Sequence, residues 1–111
     1  GKYGEDIAEQ FLVQSGMQIL ERNWRCDAGE IDIVARDAAT LVICEVKTRS
    51  SNALGTPAEA ISARKLRRLR TLAYRWLEAH HVYVPVVRID IVSVTQPSWG
   101  APVVEHLRDA S

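Results

Sequence analysis

The segment Gly29–Arg49, reading G-E-I-D-I-V-A-R-D-A-A-T-L-V-I-C-E-V-K-T-R, constrains this chain more than any other. It contains two runs rich in Ile and Val, Ile31–Arg36 and Thr40–Thr48, joined by the short connection Asp37-Ala38-Ala39. That pattern predicts a β-hairpin. Strands buried on both faces read as near-continuous apolar runs, yet these carry Asp32, Glu45 and Lys47. An unpaired charge in such surroundings is costly, so the three groups require one another or a metal ion. Period-two alternation puts Glu45 and Lys47 on one face with Leu41 and Ile43, and puts Glu30, Asp32 and Val34 on one face of the earlier strand. If those faces coincide, Asp32 and Glu45 meet across the hairpin.

A hard divalent cation such as Mg²⁺ takes oxygen ligands, keeps several waters and needs only one or two carboxylates plus a substrate phosphate. Asp32 and Glu45 supply that minimum, and the Val46 carbonyl adds a further oxygen. Lys47 shares the Glu45 face and is placed to hold an attacking water or to stabilise charge developing on a phosphate. These residues point to phosphodiester hydrolysis with Mg²⁺ or Mn²⁺. The structural alternative is an ion pair between Glu45 and Lys47 on a sheet face open to water, with Asp32 finishing a turn. Against the turn stand its strand-like flanks, Ile31 and Ile33.

The rest of the chain frames this hairpin. Tyr3–Ser15 reads as a helix, with Ile7, Ala8, Phe11 and Leu12 at helical spacing and Gly16 as its C-terminal cap. Glu5 lies on the flank of that stripe. It is either an acid favourable to the helix N-terminus or a third acidic group for the site, if the helix packs beside the hairpin. Met17–Trp24 reads as a strand, followed by a turn through Cys26-Asp27-Ala28-Gly29, and Arg49–Gly55 as a polar loop. A second helix is expected from Thr56, with Pro57 at its first position and Glu59 completing a capping box, to about His80. Ile61, Leu69, Leu72, Ala73 and Trp76 form its inward stripe, and Lys65 falls in the middle of that stripe. A lysine there must snorkel outward or meet an acid, neutralising the carboxylates or holding a phosphate.

Six basic residues lie between Arg64 and Arg75, against two acids, Glu59 and Glu78, over the whole predicted helix. Arg64, Arg68 and Arg75 line one flank, and Arg49 opens the polar loop that follows the E-x-K strand. These are candidates for phosphate contact, the alternative being an ordinary solvated surface. Val86–Thr95 is read as a further strand carrying Arg88 and Asp90 on one face, and Val103–Leu107 as a short edge strand.

One domain spanning 1–111 accounts for the length, and the balance of 14 basic and 14 acidic residues argues against a general polyanion binder. No run is long enough to span a membrane. No signal peptide is read, although the abrupt start at Gly1 leaves room for a short leader. Cys26 and Cys44 are expected as free thiols in a reducing cytoplasm. His80, His81 and His106 lack zinc-site spacing. Trp24, Trp76 and Trp99 offer base-stacking surfaces, although Trp76 falls on the core stripe.

In order along the chain stand G-x-x-G-E at Gly1–Glu5, R-N at Arg22-Asn23, G-E-I-D-I at Gly29–Ile33, E-V-K-T-R at Glu45–Arg49, G-T-P-x-E-A at Gly55–Ala60, Lys65, and R-I-D at Arg88–Asp90. Together they resemble the bacterial YraN-type family, which is assigned to the PD-(D/E)XK nuclease superfamily and is similar to archaeal Holliday-junction resolvases. The resemblance implies a restriction-endonuclease-like α-β-β-β-α-β core, with a mixed sheet flanked by helices. It makes Asp32 the motif aspartate and Glu45 and Lys47 the E-x-K. Glu5 resembles the first-helix glutamate of the resolvases, and Lys65 the polar residue of their second core helix. Ile31 replaces the usual proline before the aspartate, a change that removes no ligand. The implied activity is Mg²⁺- or Mn²⁺-dependent cleavage of DNA, including branched DNA, by a homodimer. The alternative is a non-catalytic nucleic-acid- or protein-binding module that keeps the fold.

Overall fold

In the computed structural model, which describes residues 2–50 and 61–110, the elements follow the expected order. They are α1 (Lys2–Gln14), β1 (Gln18–Cys26), β2 (Gly29–Asp37), β3 (Thr40–Ser50), α2 (Ala63–His80), β4 (Val86–Gln96) and β5 (Val103–Leu107). The strands form one mixed sheet in the order β1-β2-β3-β4-β5. Two-residue turns at Asp27-Ala28 and Ala38-Ala39 join the antiparallel strands β1, β2 and β3. β3 and β4 run parallel, as a strand–helix–strand crossover through α2 requires, and β5 returns antiparallel to β4. This is the α-β-β-β-α-β core expected from the sequence, with β5 added at the edge.

Each helix covers one face of the sheet. Ala8 and Leu12 of α1 pack on Ile33, Ala35, Val42, Cys44, Val92 and Val94. Leu69, Leu72, Ala73 and Trp76 of α2 pack on Ile31, Val34, Leu41, Ile43 and Ile89. The alternation expected for β3 therefore holds: Val42 and Cys44 serve one core, Leu41 and Ile43 the other. With both faces covered, β3 and β4 carry the near-unbroken apolar sequence that such burial demands.

Two expectations change. The second helix begins at Ala63, not near Thr56. Ser62 is its N-cap, with an extended backbone and its hydroxyl accepting from the Lys65 N–H. The Thr56-Pro57-Glu59 signal lies in residues 51–60, outside those described, as do Gly1 and most of the proposed polar loop. Arg49 and Ser50, placed in that loop by the sequence reading, continue β3 instead, paired with Thr95 and Gln96. Ile61, although outside the helix, still packs against the α2 core as expected. Both cysteines are free, Cys44 in the α1-side core and Cys26 beside the α2-side core, so the sheet separates them.

Candidate functional site

The β2–β3 ladder ends at Ile33↔Cys44. Continued, its register would set Ile31 opposite Val46. Instead the Val46 N–H donates to Asp32 Oδ2 at 2.8 Å, so a side chain takes a place that the ladder would fill. The expected alternation on β2 fails at the same point. Ile31 and Val34 belong to the α2-side core and Ile33 to the α1-side core, so Glu30, Asp32 and Val34 do not simply share a face. Asn23, on the neighbouring β1, adopts a left-handed backbone with φ 55°. These local departures from a flat ladder aim Asp32 along the sheet toward β3.

On β3, Glu45 follows Leu41 and Ile43 onto the α2 face and is only 6% exposed. Its Oε2 lies 3.0 Å from Lys65 Nζ, reaching over from the first turn of α2, and 3.5 Å from Lys47 Nζ on its own strand. The lysine in the apolar stripe of α2 has therefore met an acid. Burial pushes the Asp32 carboxyl up to about 6. The Val46 N–H opposes that shift, while Glu45, by charge and by hydrogen bond, and then the Glu5 charge push in the same direction as burial. Asp32 and Glu45 meet, and a proton is readily held between such a pair.

Glu5 reaches the same neighbourhood because α1 sits very close to β3. A Cβ placed at Gly4 would collide with the Thr48 side chain, so glycine there lets the helix approach. The Glu5 carboxylate is held by Arg22, whose guanidinium lies 3.4 Å from Glu5, 2.8 Å from Asp6 and 3.4 Å from Glu9. Glu5 thus acts on Asp32 through its charge, and among the described residues it does not join the pair as a third clustered acid.

The donor set suits a hard cation. In an extended strand a residue's N–H and C=O point to the same side, so the Val46 carbonyl faces β2 along with its N–H, beyond the last ladder pair. Two carboxylates and a carbonyl are oxygen donors of the kind Mg²⁺ and Mn²⁺ prefer. Among the described residues no group of three or more Asp, Glu, His or Cys side chains is placed to hold a metal ion, so a cation here would rest on two carboxylates and draw its other positions from water and a phosphate. Cys44 offers no thiolate: burial pushes its thiol well up, with the charges of Asp90, Asp32 and Glu45 adding to the effect.

The basic residues divide. Lys65 and Lys47 are in the site. Arg64 and Arg68 are exposed on α2, and Arg68 passes over the β1–β2 turn at Gly29. Arg49 is half-buried at the end of β3. Arg75 is drawn away, its guanidinium 2.8 Å from Asp27, about 15 Å along the helix from Lys65.

One feature went unread in the sequence, and another was read only as a charge on a strand face. Ser93 pairs with Lys47 across β3–β4, and its buried Oγ has no hydrogen-bond partner among the described residues. Asp90 is fully buried. Arg88 donates to it at 2.8 and 3.0 Å, His106 Nε2 lies 2.7 Å away, and the Asp109 N–H donates at 3.0 Å. Burial pushes its carboxyl up, but these hydrogen bonds outweigh burial and hold it below the ordinary range. Asp90 carried a signal, a carboxylate inside an apolar strand, whereas Ser93 carried none.

A family model described as "Uncharacterised protein family UPF0102" matches residues 4–94. A UPF0102 protein from a Nocardioides species is 55% identical over 108 residues, 97% of this chain and 87% of the relative. One from Beutenbergia cavernae is also 55% identical, covering 97% of this chain and 92% of the relative. A third, from Streptomyces griseus, is 54% identical over 112 aligned positions, covering 100% of this chain and 94% of the relative.

Proposed function

The chain belongs to the UPF0102 family, and we propose that it is a metal-dependent endonuclease of the PD-(D/E)XK type that hydrolyses DNA phosphodiester bonds. The observation that carries this reading is the meeting of Asp32 and Glu45 beside two lysine ammonium groups that solvent can reach. The Lys47 and Lys65 side chains are 37% and 38% exposed. Placing two carboxyl groups together away from full solvent is unfavourable unless a cation or a proton comes between them.

Asp32, Glu45 and the Val46 carbonyl would hold Mg²⁺ or Mn²⁺, with Glu5 supporting them from α1. When bound, such an ion polarises a scissile phosphate and acidifies a water. Lys47 lies on the Glu45 side of the sheet, where its ammonium orients the attacking water and opposes the negative charge that develops on the phosphate. Lys65 contacts a phosphate oxygen, and Arg64, Arg68 and Arg49 extend the basic surface along the nucleic-acid backbone. We further propose that the enzyme works in the cytoplasm as a homodimer, since two cuts placed symmetrically on a branched substrate need two centres.

The test is cleavage of linear, flapped and four-way DNA in Mn²⁺. Cutting by the unmodified protein, reduced at least a hundredfold in both Glu45→Ala and Lys47→Ala, is the expected result, in line with losses on removing one charge-stabilising group. Equal residual cutting by the protein and both variants would trace the activity to a contaminant. Absence of both cutting and Mn²⁺ binding would favour a non-catalytic module.

A further inference from the structure

Glu45 Oε2 is approached by two ammonium groups from different elements, Lys65 at 3.0 Å and Lys47 at 3.5 Å. The carboxyl of Asp32, beside it, has no cationic partner among the described residues and rests on the Val46 N–H and on Glu45. The positive charge of the site is thus concentrated on Glu45, one of the two acids that would hold a divalent ion. A third cation cannot join two ammonium groups on its Oε2 without strong repulsion.

The two lysines are about equally exposed but are held by different elements. Lys47 stands two residues from Glu45 on the same rigid strand. Lys65 arrives from the first turn of α2, its backbone N–H tied to Ser62 Oγ and its side chain more than a third exposed. A helix N-terminus disfavours cations, and the first turn of α2 carries Arg64 and Lys65 with no acidic residue. Glu45 therefore holds the Lys65 ammonium where its own helix does not, and four flexible methylenes let it swing out.

We propose that Lys65 is a built-in counter-ion for Glu45 that a divalent cation displaces, so that the ion must exchange with this ammonium to reach the acids. The inference rests on the cation reading of Asp32 and Glu45 and adds to it an order of events. The ammonium that neutralises Glu45 in the ion-free protein becomes available to a phosphate only after the ion has taken its place. Removing the charge of Lys65 then tightens cation binding while leaving the ligands intact.

Mn²⁺ affinity of the full chain, read from the free-ion signal in electron paramagnetic resonance without nucleic acid, tests this. Lys65→Met is expected to bind Mn²⁺ about tenfold more tightly than the unmodified protein, a coupling of ordinary size. Lys65→Arg, which keeps the charge, should stay within about threefold of it on the same scale. Arg67→Met removes an equal charge from an exposed position two residues along α2. It separates a general field effect from displacement at Glu45, and its expected change is less than about twofold. Circular dichroism confirms that each variant is folded, and Lys65→Gln serves if the methionine variant is not. Equal Mn²⁺ affinity in the unmodified protein and Lys65→Met, or an equal gain in Arg67→Met, overturns the counter-ion role while the cation site stands. No Mn²⁺ binding by any of them overturns the cation reading and this inference with it.

Discussion

Asp32 is the residue on which the site turns, and its protonation makes a stability prediction. Its carboxyl is raised to about 6, above the ordinary unfolded value near 3.9. Its stabilising share is therefore complete below that unfolded value and is lost as pH rises through about 6. Asp32→Asn keeps an oxygen for the Val46 N–H and removes the charge. The variant is expected to be more stable than the unmodified protein at pH 8, by roughly 1–2 kcal/mol after allowing for solvent access. That advantage should shrink toward pH 4, where both proteins are neutral at this position. Denaturant melts at the two pH values check it, and a pH-independent difference would refute it. The nearby Asp90 behaves oppositely, because Arg88, His106 and the Asp109 amide all favour its charged form. Two carboxylates in one sheet are thus tuned in opposite directions by their donors. Asp32 is left poised to change state, whereas Asp90 is locked into a structural network.

The elements work by close approach. α1 delivers Glu5 because Gly4 lets it sit against Thr48, where a methyl group has no room. Gly4→Ala is expected to lose about 1–3 kcal/mol of stability through overpacking, although alanine is the better helix former. Thermal melts measure the loss, and an unchanged or raised midpoint would show that α1 re-seats without cost. In α2, the Ser62 cap fixes where the helix begins and hence which turn presents Lys65 to Glu45. β2 contributes an interruption. Where its pairing with β3 stops, a carboxylate replaces a backbone acceptor.

Across the whole molecule, two helices seal the two faces of the sheet, and no helix among the described residues is long and apolar enough to cross a membrane. The acids sit where these layers meet, so ion binding should be felt by the entire fold. A cation that binds only the folded chain stabilises it by about 2.7 kcal/mol at a concentration one hundredfold above its Kd. Mn²⁺ is expected to raise the unfolding midpoint accordingly, chelator to reverse the gain, and Asp32→Ala to abolish it with the helix content unchanged. A midpoint indifferent to Mn²⁺ in the unmodified protein would contradict the proposed site.

Sequence alone determined much of this. Alternation on β3 set Glu45 and Lys47 beside Leu41 and Ile43, and helical spacing found the buried stripe Leu69, Leu72, Ala73 and Trp76. Such patterns are legible because a strand or helix fixes side-chain direction through its own local period. Tertiary structure decided the rest. The break between Ile31 and Ile33, the start of α2 at Ser62, the reach of Lys65 to Glu45, the capture of Arg75 by Asp27 and the orphan hydroxyl of Ser93 belong to no local period. Each depends on which distant backbone lies alongside, and that is settled only when helices and sheet pack together.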